Sequence, residues 1–182
     1  MPADGPRLLR DAVPDEVPPS AEQVVLARRL TGGIGFVTTH VRADSYFPFC
    51  VLARYQGLKL TQYAFRLIVR LAHYLVNTMY MPLVLHVSPA DKGPWADAGF
   101  FGVFCDSSHG NAPNGHSYGG FLLMNSRGGA QAWKCRKQAF PTDSPGAQEL
   151  IAATMAYRWT MSLRMLLADL DLGVAIMDPT PL

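Results

Sequence analysis

The sequence has little cysteine, and what it has makes no pattern. Cys50, Cys105 and Cys135 stand far apart and odd in number, with no CxxC pair. That argues against a disulfide framework and against a thiolate zinc site. No secretory signal is recognisable, so the thiols are expected to be reduced and the chain intracellular. Long apolar runs are missing too. The best candidate, Met79 to Val87, is broken by Pro82 and falls short of the ~18 residues that span a bilayer, so no membrane partner is expected. There is no excess of charge of one sign: the formal net charge is +2 over 182 residues. A balance this close to neutral neither demands nor forbids nucleic acid, because a local basic face can hide inside it. GxSxG, P-loop and GxGxxG motifs are absent, and no internal repeat is visible.

What is present suits a folded domain. Hydrophobic residues make up 49% of the chain. The length allows one domain, or one domain with a helical extension, and a chain of this size buries roughly 70% of its unfolded surface without needing a staple.

Residues 1–20 are rich in Pro, Asp and Arg, and read as a flexible linker. Ser20 with Gln23 makes a capping-box pattern for a helix expected over Ala21 to Leu30, which Gly32-Gly33 is expected to stop or bend. Ile34 to Thr39 and Tyr46 to Tyr55 are apolar runs. Thr61 to Asn77 has a clear helical stripe of Phe65, Ile68, Leu71, Ala72 and Leu75, with Arg66, Arg70 and His73 off it. Those arginines suit a solvated face or a phosphate contact. Leu83 to Val87 reads as a strand and Ser88 to Asp97 as a loop.

The organising stretch runs from Phe100 to Ala153. Three strand-like runs are expected: Phe100 to Cys105 ending at Asp106, Phe121 to Asn125, and Gln131 to Lys134. A long helix follows from about Pro145 to Leu170, with Ser144 as N-cap, Pro145 at its first position and Gly173 as its stop. Leu150, Met155, Trp159, Leu163, Leu166, Leu167 and Leu170 are expected to form its buried face. Val174 to Met177 is apolar again.

Asp106 and Glu149 are the candidate chemistry. Asp is a poor strand former, and its carboxylate at the mouth of a sheet could hold an oxygen-preferring ion such as Mg²⁺. The alternative is an Asx-turn that ends the strand. Glu149 could complement the helix dipole or join Asp106 at a metal. Carboxylates from different elements are what two-metal phosphoryl transfer requires. His109 and His116, flanking the Gly110 to Gly115 loop, suit phosphate contact or proton transfer, or simply a polar turn. Cys105 is expected to face the core if Asp106 faces out.

These segments resemble the C-terminal part of the reverse transcriptase of copia-type LTR retrotransposons, over nearly everything after Ala21. Leu30 to Phe36 is similar to that family's "vGsLmYl". Arg42-Ala43-Asp44 stands where it has Arg-Pro-Asp, and Val51 to Tyr55 resembles "vLsRf". Arg70, Tyr74-Leu75 and Thr78 match "RiLRYLkgT". Cys105 to Ser108 looks like "sDAdwa", His116 to Phe121 like "kStsGyv", Trp133 to Gln138 like "WsSkKQ", and Ser144 to Ala153 like "SSTEAEYmAl".

The resemblance implies a mainly helical connection segment over residues 21–90. It implies an α/β RNase H-like domain over 91–182, with a mixed sheet that is incomplete at the C-terminus because its fourth strand is not reached. Asp106 and Glu149 would then be catalytic metal ligands in a site for two Mg²⁺ ions, hydrolysing the RNA strand of an RNA–DNA hybrid. The hybrid would be recognised through 2′-hydroxyls and backbone rather than sequence, with Arg54, Lys59, Arg66, Arg70 and Ser117 as nucleic-acid contacts. The family's remaining carboxylates are missing, and Asp178 is not expected to substitute. The polymerase's paired aspartates have no counterpart, since Asp-Asp does not occur. Ala43 and Ala147 depart from the family's Pro and first Glu. A non-catalytic nucleic-acid-binding remnant is the alternative. The open edge of the strand carrying Asp106 is expected to promote self-association.

Overall fold

A computed structural model describes residues 17–81, 101–110, 115–125 and 129–170. These fall into two compact units, residues 17–81 and residues 101–170. The first is helical, and the second is a three-stranded antiparallel sheet with one helix packed on it, so the fold is mixed α/β.

Helix α1 spans Ala21–His40. Its start is the expected capping box: the Ser20 hydroxyl accepts from Gln23 N at 3.2 Å, and Gln23 Oε1 accepts from Ser20 N at 2.8 Å. Its end is not the expected one. The helix runs straight through Gly32-Gly33 and takes in Ile34 to Thr39, which the sequence separates as a run of its own. Gly35 explains part of this: a Cβ there would lie 2.8 Å from the Phe49 ring, so the missing side chain lets the next helix approach. That helix, α2, spans Tyr46–Leu52 after a 3₁₀ turn, Ala43–Ser45.

A second 3₁₀ turn, Gly57–Lys59, leads to α3, Gln62–Asn77. Thr61 is its N-cap, accepting from Ala64 N at 3.0 Å. Ala64, Ile68 and Leu71 bury one side of α3 against Ala27 and Ile34 of α1, with Phe65, Ala72 and Leu75 packed around them. Arg66, Arg70 and His73 are exposed, as their place off the stripe predicts.

In the second unit β1, β2 and β3 span Phe101–Ser107, Tyr118–Asn125 and Ala130–Lys137, in that spatial order. Asp106 therefore sits inside β1, paired with Gly120, and does not end the strand. A bulge at Leu123/Met124 fits the β2–β3 register. Helix α4, Pro145–Asp169, begins as read: the Ser144 hydroxyl accepts from Ala147 N at 3.2 Å, and Pro145 opens the helix. It packs across β1 and β2. The core contains Val103, Phe121, Leu123, Met155 and Ala156, with Cys105, Ala132, Leu163 and Leu167 at its margin.

The face that α4 buries differs from expectation. Gln148, Ala152, Ala156, Thr160 and Arg164 lie inward with Met155, whereas Leu150, Trp159, Leu166 and Leu170 are exposed. Small residues at every fourth position let the helix lie close on the sheet. At Gly119 an added Cβ would stand 3.3 Å from Ala152 Cβ. Leu83 to Val87, Ser88 to Asp97, Gly173 and Val174 to Met177 lie outside the described residues. No described helix is long and apolar enough to cross a membrane.

Candidate functional site

Antiparallel pairing puts alternate β1 side chains on opposite faces. Cys105 packs at the margin of the core beneath α4, and Asp106 is exposed. Asp106 Oδ1 accepts from Ser107 N at 2.7 Å, a local bond that leaves the second carboxylate oxygen available. Glu149 is exposed and lies beyond the first turn of α4, which holds no acid. The dipole effect fades within that turn, so dipole complementarity does not account for Glu149.

The thiol of Cys105 reports on both carboxylates. It is held above the ordinary cysteine value, first by burial and then by the negative charges of Asp106 and Glu149. The strand carboxylate and the helix carboxylate thus lie within electrostatic reach of one side chain. Among the described residues, no group of three or more His, Cys, Asp or Glu gathers where an ion could bind. Two exposed carboxylates alone do not fit a pair of Mg²⁺ ions, which need more oxygen ligands than these supply. Asp178 lies outside the described residues.

Beside these carboxylates is a polar network that the sequence reading missed. Gln148 is fully buried. Its Oε1 lies 3.0 Å from His109 Nδ1, and its Nε2 donates to the Thr142 carbonyl at 3.5 Å. Gln138, also buried, donates from Nε2 to the Gln148 carbonyl at 3.0 Å. His116 Nδ1 lies 3.0 Å from the Gln138 carbonyl. Both histidines therefore hold the loop to α4 and to the end of β3. The only sequence signal was the glutamine after the basic run Lys134 to Lys137, and burial cannot be read from that.

Ser117, expected to touch nucleic acid, is fully buried. Its hydroxyl accepts from Gly110 N at 2.9 Å, so it fastens the loop and presents nothing to a ligand. Arg54, Lys59, Arg66 and Arg70 are exposed, all in the helical unit. Arg66 and Arg70 share the outer face of α3, four residues apart. Lys59 ends a 3₁₀ turn, and Arg54 follows α2.

The helical unit has its own charged cluster. Arg42 is buried and grips Asp44 with two hydrogen bonds, Nε to Oδ1 at 2.9 Å and Nη2 to Oδ2 at 2.8 Å. It also donates to the Thr78 carbonyl at 3.0 Å and the Thr78 hydroxyl at 2.9 Å. Tyr74 donates its phenol to Asp44 Oδ2 at 2.8 Å, and the guanidinium lies 5.3 Å from the centre of the Tyr74 ring.

Comparison with known proteins yields no match: no family model, no curated protein and no solved structure is significantly similar to this chain.

Proposed function

We propose that this chain is a nucleic-acid-handling piece of a copia-type retroelement reverse transcriptase, a connection segment followed by an RNase H-like module. The RNA strand of an RNA–DNA hybrid is its substrate. The observation that carries this reading is that the two elements meet: Asp106 lies near the end of β1, Glu149 lies near the start of α4, and α4 packs on β1. A strand carboxylate and a helix carboxylate at one end of a sheet are what the resemblance requires of these two positions. The helical unit supports the reading separately. Arg42 and Asp44 come from one family-like segment, Tyr74 and Thr78 from another, and the four form one hydrogen-bonded cluster.

Asp106 and Glu149 bring negative charge to the site, and Gln148 and His109 fix the helix start beside it. Asp106 and Glu149 would be the residues to hold Mg²⁺, which would supply water activation, but the described donors are too few to complete such a site. That specific shortfall favours a second reading, in which the module binds hybrid without cutting it.

The deciding experiment is cleavage of a labelled RNA–DNA hybrid in Mg²⁺ by the wild-type chain and by Asp106→Asn, with folding of both checked by circular dichroism. Cleavage lost in the variant supports the hydrolytic reading. Hybrid binding without cleavage by the folded wild type supports the second. A folded chain that neither binds nor cuts the hybrid overturns both.

A further inference from the structure

The two edges of the sheet differ in charge. No Asp or Glu occurs between Asp106 and Asp143, a stretch that carries Lys134, Arg136 and Lys137 on β3. Register places Lys134 opposite Phe121, and Arg136 opposite Gly119. Phe121 belongs to the core beneath α4, so Lys134 and Arg136 share the α4 side of the sheet. Because α4 packs chiefly on β1 and β2, this part of β3 stays open: Arg136 is exposed and Lys134 half-buried.

An aromatic side chain borders this basic strip. Trp159 of α4 is 45% exposed. It packs against Phe121, with ring centroids 5.9 Å apart, and Lys134 Nζ lies 4.9 Å from the centre of its ring. Trp159 is thus anchored by Phe121, carries the Lys134 ammonium over its ring, and keeps 45% of its surface exposed. A part-exposed indole with one cation over its ring and a second two residues along the same face of β3, and no carboxylate on that strand, has the two parts of a stacking platform for single-stranded nucleic acid.

We propose that Trp159, Lys134 and Arg136 form a binding surface for single-stranded nucleic acid, distinct from the carboxylate site at Asp106 and Glu149. An unpaired base stacks on the indole while neighbouring phosphates meet Lys134 and Arg136. A duplex keeps its base faces stacked internally and gains only the phosphate contacts. The surface takes DNA or RNA, because stacking and phosphate contact do not read the sugar. It requires neither a metal nor hydrolysis.

The test is fluorescence anisotropy of a labelled 15-nucleotide oligothymidylate with the whole chain, in EDTA, over a series of salt concentrations. The wild type is expected to bind the single strand more tightly than a duplex of equal length. Trp159→Leu is expected to weaken binding roughly tenfold. Lys134→Gln with Arg136→Gln is expected to lower the salt slope by about 1.4, at ~0.7 per phosphate contact on a single strand. Arg136→Gln alone, at an exposed position, keeps the test open if Trp159→Leu fails to fold; it is expected to lower the slope by about 0.7. Unchanged affinity and slope in the folded variants overturn the proposal. So does equal affinity for duplex, or equal displacement by polyglutamate. EDTA keeps the outcome separate from hybrid cleavage, which Asp106→Asn tests at the other edge.

Discussion

Arg42 reaches 36 residues along the chain to Thr78, donating to its carbonyl at 3.0 Å and to its hydroxyl at 2.9 Å. This contact joins the turn after α1 to the end of α3, and Asp44 and Tyr74 complete it. The guanidinium is almost wholly out of water while the Asp44 carboxylate is 41% exposed. Removing the partner strands the buried charge, which costs more than the pair itself gains. Asp44→Ala is expected to destabilise the helical unit by about 2–3 kcal/mol, measured by urea unfolding. Arg42→Lys is expected to fail as a substitute, because an ammonium cannot make the two-pronged bond.

The same cluster sets a pH dependence at both ends. The Asp44 carboxyl is held below its ordinary value of 3.8, first by its hydrogen bond from Arg42. Its contribution to stability is present above that value and is lost as pH falls through the folded one. Tyr74 is held above its ordinary value of 10.0, first by its hydrogen bond to Asp44. That contribution is complete below the ordinary value and is lost as pH rises through the folded one. Melting temperature measured against pH is expected to lose part of its acid limb in Asp44→Asn and part of its alkaline limb in Tyr74→Phe.

The carboxylates near Cys105 can be tested through its thiol. Burial is the larger cause of its raised value, and the two negative charges add to it. In a background of Cys50→Ser and Cys135→Ser, alkylation at pH 8 is expected to be slow. Asp106→Asn combined with Glu149→Gln is expected to speed it modestly, since burial remains. An unchanged rate would show that the two charges do not reach the thiol.

Glycines at different positions make opposite predictions. At Gly119 a Cβ would stand 3.2 Å from Gln138 Nε2 and 3.3 Å from Ala152 Cβ, so α4 must shift. Gly119→Ala is expected to destabilise by about 1–3 kcal/mol. At Gly32, inside α1, a Cβ would meet nothing within 4 Å. There alanine is expected to stabilise by about 0.8–1 kcal/mol through helix propensity. Thermal unfolding of the two variants checks both signs.

Among the described residues β1 has a sheet partner on one side only. Its Phe104 is exposed, and exposed apolar edges recruit strands from other molecules. Light scattering at rising concentration is expected to show self-association, and replacing Phe104 with Lys is expected to reduce it. A monodisperse monomer at high concentration would count against this.

Much of the fold was legible in sequence because local signals and packing agree. Ser20 and Ser144 cap the helices they were assigned to, and the three strand-like runs form one meander. The misreadings arose where tertiary contact overrode a local rule. Gly32-Gly33 looked like a stop or a bend, yet α1 continues, with the Thr38 and Thr39 hydroxyls bonded back to the Gly35 carbonyl and Phe49 packed at Gly35. In α4 the leucines suggested the inward face, but the sheet selects small residues because Gly119 admits a close approach at Ala152. Asp106 and Glu149 could be picked out from the sequence, since carboxylates are conspicuous in apolar surroundings. Gln138 and Gln148 could not, because a glutamine looks the same in sequence whether it is buried or solvated.

The order of the strands gives the sheet an electrical direction. Asp106 lies on one outer strand and Lys134 and Arg136 on the other, separated by two strand spacings, about 10 Å. That distance is close to the ~8 Å screening length at physiological salt. A polyanion nearing the unit is therefore pushed from one edge and pulled toward the other before any atom touches. It arrives already turned, with β3 leading, so approach selects an orientation that contact alone would have to find by trial. Raising the salt shortens the screening length and removes that guidance, so arrival slows even where the final contacts are unchanged.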